Sequence, residues 1–256
     1  ACACLTLGGF SSGVQASLPW HCLYFLPLPQ GQGSLRPTRG KAAAPAAAPA
    51  TAGAVSRLGA HAVVLRGAAL AHLPAVWPAL QAVVAQAGFR HMATPGGRAM
   101  QVALTNCGAL GWVSDARGYR YSAQDPATGL PWPALPAPFL ALAQSAAAQA
   151  GFDGFAPDAC LINRYTPGTR LSLHQDRDER DFGQPIVSVS LGLPAVFLWG
   201  GLQRADRPQR VPLFHGDVVV WGGADRLRFH GVAPVPDGTH PLTGAARINF
   251  TFRRAG

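Results

Sequence analysis

The sequence predicts an α+β protein with a mainly β core, a sandwich or barrel preceded by helices. After Gly151 the chain breaks into short apolar runs separated by Gly, Pro and Asp, the texture of strands of roughly four to eight residues joined by turns. Before Gly151, two Ala- and Leu-rich stretches carry apolar residues at helical spacing. With 48% apolar residues, 6 Trp and 12 Phe among 256, the chain can bury a sizeable core, which excludes global disorder.

The elements follow in order. Residues 1–57 hold Arg36, Arg39, Lys41 and Arg57 and no acidic residue, and residues 42–54 are only Ala, Pro, Thr and Gly. Pro45 and Pro49 break any helix there, and small side chains build no core. Residues 1–57 are therefore expected to be a low-complexity, disordered extension, and 58–256 the folded domain. An acid-free leader also fits organelle targeting. Residues 62–65 read as a strand. Residues 70–87 read as a helix or helix pair interrupted by Pro74 and Pro78. After a Pro95-Gly96-Gly97 turn come a strand at 99–105, a rigid proline loop at 131–138 and a helix at 139–150. The remaining strands are expected at 159–165, 171–176, 186–191, 195–199, 210–213, 217–221 and 247–253.

The net charge is +9 and almost wholly arginine, Lys41 being the sole lysine. Beyond residue 57 the balance is 17 basic against 12 acidic residues, a modest excess that suggests an anionic partner. The five cysteines (Cys2, Cys4, Cys22, Cys107, Cys160) are odd in number and lack C-x-x-C spacing, which argues against a disulfide scaffold or zinc ribbon and for a reducing, cytoplasmic setting. No apolar run reaches the ~18 residues of a membrane span. A monomer without membrane attachment is expected.

Two His-x-Asp pairs stand out. Non-haem iron oxygenases hold their metal with two histidines and one carboxylate, and on a strand residues i and i+2 point the same way. With 8 His and 11 Asp in the chain, chance supplies about a third of one such pair, so spacing alone is weak. His174-Gln175-Asp176 ends a strand candidate. His215-Gly216-Asp217 is more simply a hairpin turn before 218–221. His230, 17 residues before Arg247, can supply a third ligand from a neighbouring strand.

The C-terminal strand sharpens this. Along 247–253, Ile248, Phe250 and Phe252 share one face, and Arg247, Asn249, Thr251 and Arg253 the other. If the apolar face packs on the core, two guanidiniums point into or at the mouth of a small β structure and require an anion. A dicarboxylate suits them, because guanidinium and carboxylate pair at two points. A solvated strand face is the plainer alternative.

Several ordered motifs carry a family resemblance. They are Thr94-Pro-Gly-Gly, Thr105-Asn-Cys-Gly-x-Leu-Gly-Trp112, Leu161-Ile-Asn-Arg-Tyr-x-Pro-Gly, Leu171-Ser-Leu-His-Gln-Asp, the run 186–194, His215-Gly-Asp-Val-Val-Val-Trp-Gly-Gly, and Arg-x-Asn-x-Thr-x-Arg from Arg247. From about residue 58 to the end, the chain resembles the AlkB family of iron- and 2-oxoglutarate-dependent nucleic-acid dealkylases. The resemblance implies a double-stranded β-helix (jelly roll) with flanking N-terminal helices and a nucleotide-recognition lid. It implies Fe(II), 2-oxoglutarate and O2 as cofactor and co-substrates. His174, Asp176 and His230 match the iron ligands. Arg247 and Arg253 match the residues that hold 2-oxoglutarate, helped by Asn163, Tyr165 and Asn249. Trp112, Tyr119, Leu161, Asp178 and Arg204 match the substrate side. Leu104 departs from the family's best-known member, which has methionine there, another flexible apolar side chain of similar volume.

The implied function is oxidative demethylation of N-alkylated bases (1-methyladenine, 3-methylcytosine) in single-stranded DNA or RNA, with formaldehyde release. Such bases are cationic, which suits a carboxylate such as Asp178, and Trp112 and Tyr119 have the aromatic faces on which bases stack. A related 2-oxoglutarate oxygenase acting on RNA, lipid or protein, or a non-catalytic jelly-roll binding module, are the alternatives.

Overall fold

A computed structural model describes residues 51–256. The expected extension lies outside the described residues up to residue 50. Its last three residues do not belong to it, because strand β1 spans Val55–Gly59 and pairs with β2, Ala62–Leu65.

A 3-10 turn (Leu70–His72) leads into α1, Leu73–Gln86. The two prolines do not split it. Pro74 sits in the first turn, where amide protons lack helical partners in any case, and Pro78 forfeits only the bond to the Pro74 carbonyl. Val76, Leu80 and Val83 form its buried face. Next come β3 (Ala103–Gly108), β4 (Gly111–Asp115), β5 (Gly118–Ser122) and α2 (Ala137–Gln149). The rest is β6 (Ala159–Tyr165), β7 (Leu171–His174), β8 (Ile186–Gly192), β9 (Ala195–Trp199), β10 (Gln209–Leu213), β11 (Val218–Trp221), β12 (His230–Val232) and β13 (Arg247–Arg253).

The strands form a seven-stranded sheet ordered β1-β2-β11-β8-β13-β6-β3 and a four-stranded sheet ordered β10-β9-β12-β7. This is the mainly β, jelly-roll architecture that the sequence predicts. The residues between β10 and β11, read as a hairpin turn, do turn the chain, with Gly216 at φ +89°. They carry it from one sheet to the other and close no hairpin.

Alternation along β13 decides which side is which. Ile248, Phe250 and Phe252 enter the main core under both helices, where Phe139 of α2 stacks on Phe250 at 4.8 Å and meets Phe252 edge-on at 6.2 Å. The opposite residues, Arg247, Asn249, Thr251 and Arg253, are all buried as well. A solvated polar face is thereby excluded. Cys107 and Cys160 are free, buried and paired in register across β3 and β6. Among the described residues no helix is long and apolar enough to cross a membrane.

The lid is the separate two-stranded sheet β4–β5. Its two-residue turn is fixed by Asp115, whose carboxylate accepts the Arg117 amide (2.8 Å) and both terminal nitrogens of Arg120 (2.8 and 2.7 Å). The Asn106 side chain anchors it to β3 by exchanging two 3.0 Å bonds with the Trp112 backbone.

Candidate metal and co-substrate site

His174 closes β7 and His230 opens β12, and the two are direct partners across the smaller sheet. Their rings lie 4.5 Å apart. Asp176 lies beyond the strand, which ends at His174, so the pleat alone does not aim it. Arg253 holds it, donating from Nη2 at 2.7 Å and from Nε at 3.1 Å. His174 and His230 each bring Nε2 to 3.6 Å from an Asp176 oxygen. One donor atom from each of the three residues lies within 4.8 Å of the others, the only such grouping of three among the described residues.

The histidine tautomers suit a metal. Each Nδ1 faces a backbone carbonyl, of Ser172 at 2.9 Å and of Arg228 at 3.0 Å. Each Nδ1 therefore carries the proton, leaving the Nε2 lone pair toward Asp176. Burial, and then His230, push the His174 ring down to about 4, so at neutral pH no proton competes for it. Burial alone would raise Asp176, but Arg253, aided by His230 and His174, holds it well below the usual carboxylate range.

The other His-x-Asp pair has different work. Asp217 accepts Arg66 at 2.7 Å and the amides of Gly67 and Phe214 at 3.0 Å each. The Nδ1 of His215 accepts the Gly192 amide at 3.0 Å, and its ring lies 4.3 Å from His240.

Strand register builds a polar wall facing between the sheets. Tyr165, Arg247 and Gly192 form one row across β6, β13 and β8. Asn163, Asn249 and Ser190 form the next, followed by Leu161, Thr251 and Ser188. Gly192 has φ +87°, and a Cβ there would lie 2.2 Å from Thr243 Oγ1. Asn249 donates to Ser188 Oγ and to the Val189 carbonyl, both at 2.9 Å. Arg247 is 2% exposed and uses only Nη2, donating to Ser190 Oγ at 3.0 Å. Its Nε and Nη1 have no hydrogen-bond partner, and neither has the buried Tyr165 hydroxyl, although the guanidinium lies 5.0 Å from the centre of the Tyr165 ring. Orphaned buried donors of this kind call for an acceptor, and an anionic carboxylate is the acceptor that a buried guanidinium pairs with most strongly.

The two arginines differ, which the sequence pattern could not show. Arg253 already has anionic partners, Asp176 and Glu179 (3.2 Å). Arg247 has none among the described residues.

On the outer side, Trp112 is half-buried and stacks on Tyr119 at 5.6 Å with 14° between planes. Its indole N–H donates to Asp178 at 2.7 Å. Leu161 lies in a small apolar cluster with Leu104 and Trp132, against which Trp112 packs. Arg204 stands apart from this group, its guanidinium 5.8 Å from the centre of the Phe229 ring, beside His230 in the chain. A cavity of about 390 Å³ opens between the lid and the segment after β7, lined by Tyr119, Tyr121, Asp178 and Arg180. Sequence reasoning missed Ser188, Ser190, Tyr121, Glu179 and Arg226. The serines were visible as the alternate residues of 186–192, but their inward side is set only by pairing with β13.

Residues 75–253 match the sequence model of the 2OG-Fe(II) oxygenase superfamily. The chain is 56% identical over 194 residues to the alpha-ketoglutarate-dependent dioxygenase AlkB of Salmonella typhimurium, covering 76% of this chain and 90% of that protein. The chain belongs to the AlkB family of Fe(II)- and 2-oxoglutarate-dependent dioxygenases. The Escherichia coli AlkB is likewise 56% identical over 199 residues, covering 78% and 92% of the two chains. A solved structure of OsALKBH1 agrees at a TM-score of 0.68 and 28% identity, over 78% of this chain and all of that one. As an AlkB-family dioxygenase, the enzyme uses Fe(II), 2-oxoglutarate and O2. The His174, Asp176 and His230 cluster fits the metal, and the orphaned Arg247 and Tyr165 donors fit the dicarboxylate.

Proposed function

We propose that this enzyme removes alkyl groups from ring nitrogens of nucleic-acid bases, preferring single strands. The observation that carries the reading is the Trp112–Tyr119–Asp178 group standing two residues along the chain from Asp176. Relatives support a nucleic-acid substrate, among them the mouse protein named nucleic acid dioxygenase ALKBH1, 37% identical over 107 residues, 41% of this chain and 28% of that one.

Each residue then has a task. His174, Asp176 and His230 hold iron. When bound together, iron, 2-oxoglutarate and O2 supply oxidation of the N-alkyl C–H bond, after which the hydroxyalkyl group leaves as an aldehyde. Arg247 and Tyr165 take the far carboxylate of 2-oxoglutarate, and Asn163 and Asn249 line the same wall. Arg253 fixes the direction of Asp176 and closes the metal end of the wall. Trp112 offers a face for the flipped base, with Leu161 supporting it from beneath and Tyr119 beside it. Arg204, which is exposed, meets the phosphate backbone. A base methylated at its pairing edge carries positive charge and has lost its partner. It is therefore cheap to unstack, and Asp178 favours it over an unmodified base.

Incubation with Fe(II), 2-oxoglutarate and a 1-methyladenine oligonucleotide is expected to restore adenine and release formaldehyde, both read by mass spectrometry. An iron-loaded enzyme that leaves the methyl mark in place would sink the proposal.

A further inference from the structure

The lid touches the segment that carries Asp176 and Asp178 through two side-chain hydrogen bonds with adjacent acceptors. Trp112 Nε1 donates to Asp178, and Tyr121 Oη donates to Glu179 Oε1, each at 2.7 Å. The two bonds sit in different surroundings. The Asp178 bond is exposed, whereas Glu179 is 6% exposed. Glu179 also accepts Arg226 Nη2 at 3.0 Å and pairs with Arg253 Nε at 3.2 Å. Arg253 in turn grips the Asp176 carboxylate, and Arg226 Nη1 donates to the Asp176 carbonyl at 3.0 Å. Tyr121, Glu179, Arg253 and Asp176 thus form one continuous chain of bonds from the lid to a metal-ligating carboxylate.

We propose that Tyr121 and Glu179 latch the lid to the metal ligand, so that a base held by the lid is placed when 2-oxoglutarate is consumed. The proposal rests on the reading that the lid grips the base. The physical reason is the difference between the two bonds. A cationic base or its amino group competes for the exposed Asp178, and the Trp112 bond is exchanged. The Tyr121 bond then remains the side-chain tie between lid and segment. It is charge-assisted and part-buried, with its acceptor Glu179 buried, and hence is better shielded from solvent competition than the exposed Trp112 bond. Both latch members act through Arg253 on Asp176 and are positioning residues.

Loss of the latch uncouples the reaction. Coupled turnover converts 2-oxoglutarate, O2 and an N–CH3 group into succinate, CO2 and N–CH2OH, which breaks down to formaldehyde and the free base N–H. Without a placed methyl group, ascorbate in the assay supplies the two electrons and two protons. 2-Oxoglutarate, O2 and ascorbate then give succinate, CO2, water and dehydroascorbate.

Tyr121→Phe removes only the hydroxyl and leaves Glu179 both guanidiniums, so the fold is kept. In the metal-free full-length protein, lid amides 111–122 should exchange with deuterium about tenfold faster, as loss of one hydrogen bond to a charged group implies. In the loaded enzyme, formaldehyde released per succinate should fall to roughly half of wild type or lower, scaled by the same opening of the lid. Unchanged lid exchange overturns the latch. A uniform loss of activity at a wild-type ratio of formaldehyde to succinate overturns the coupling, because a merely structural role gives that result. If the wild-type enzyme releases no formaldehyde, the dealkylase reading fails, and the exchange measurement still judges the latch.

Discussion

His174→Ala is expected to lose iron and turnover together, whereas His215→Ala keeps both. His174 puts Nε2 3.6 Å from Asp176 and forms part of the only three-donor grouping among the described residues. His215 hydrogen-bonds the Gly192 amide and stacks near His240, outside that grouping. Removing a residue that merely supports a metal ligand typically costs about 10–100-fold, so deleting a ligand should exceed 100-fold. The expected result is iron content near zero by atomic absorption for His174→Ala, with a native circular-dichroism spectrum. His215→Ala should retain a full equivalent of iron and most activity. The opposite pattern would mean that the other His-x-Asp pair holds the metal.

The second large effect belongs to Arg247. Its buried Nε and Nη1 lack partners until an anion arrives, and burial already pushes its pKa down. Truncating one member of a buried, hydrogen-bonded charge pair costs about 3–5 kcal/mol. At 1.4 kcal/mol per factor of ten, Arg247→Met should raise the KM for 2-oxoglutarate by about two to three and a half orders of magnitude. The same change removes an uncompensated buried charge from the free enzyme. The unliganded variant should therefore melt no lower than wild type, and added 2-oxoglutarate should no longer raise its melting temperature. A wild-type thermal shift with 2-oxoglutarate would show that another group holds the dicarboxylate.

The fold was most legible where one face is apolar and the other polar. In β13, 247–253 alternates without interruption, and its bounds coincide with the expected strand. β2 and β6 also coincide, as apolar runs bounded by turn signals. β12 has three residues and includes a glycine, too few to show any period. The family resemblance implied a lid, but its strands β4 and β5 were not read from the sequence, because their residues are largely polar or aromatic and their stability comes from Asp115, Asn106 and the bonds across to Asp178 and Glu179. β3 begins at Ala103, four residues later than expected, because 99 pairs only as an isolated bridge with 93.

Site legibility followed the same logic. The three clustered residues His174, Asp176 and His230 and both arginines were readable as candidates from spacing and alternation, and the roles proposed for them from the ordered motifs. What no pattern carries is partnership over long separations. Arg253 meets Asp176 across 77 residues and Arg226 meets Glu179 across 47. Those contacts turn two similar arginines into different devices, one that holds the Asp176 carboxylate and one with unmet donors.

The most direct measurement of the central claim is an anaerobic crystal structure with Mn(II), a redox-silent stand-in for iron, and 2-oxoglutarate. The expected result is metal bound by His174, Asp176 and His230, with a carboxylate of 2-oxoglutarate on the Arg247 guanidinium beside the Tyr165 hydroxyl. Metal at His215, or 2-oxoglutarate bound with its carboxylates away from Arg247, would contradict it.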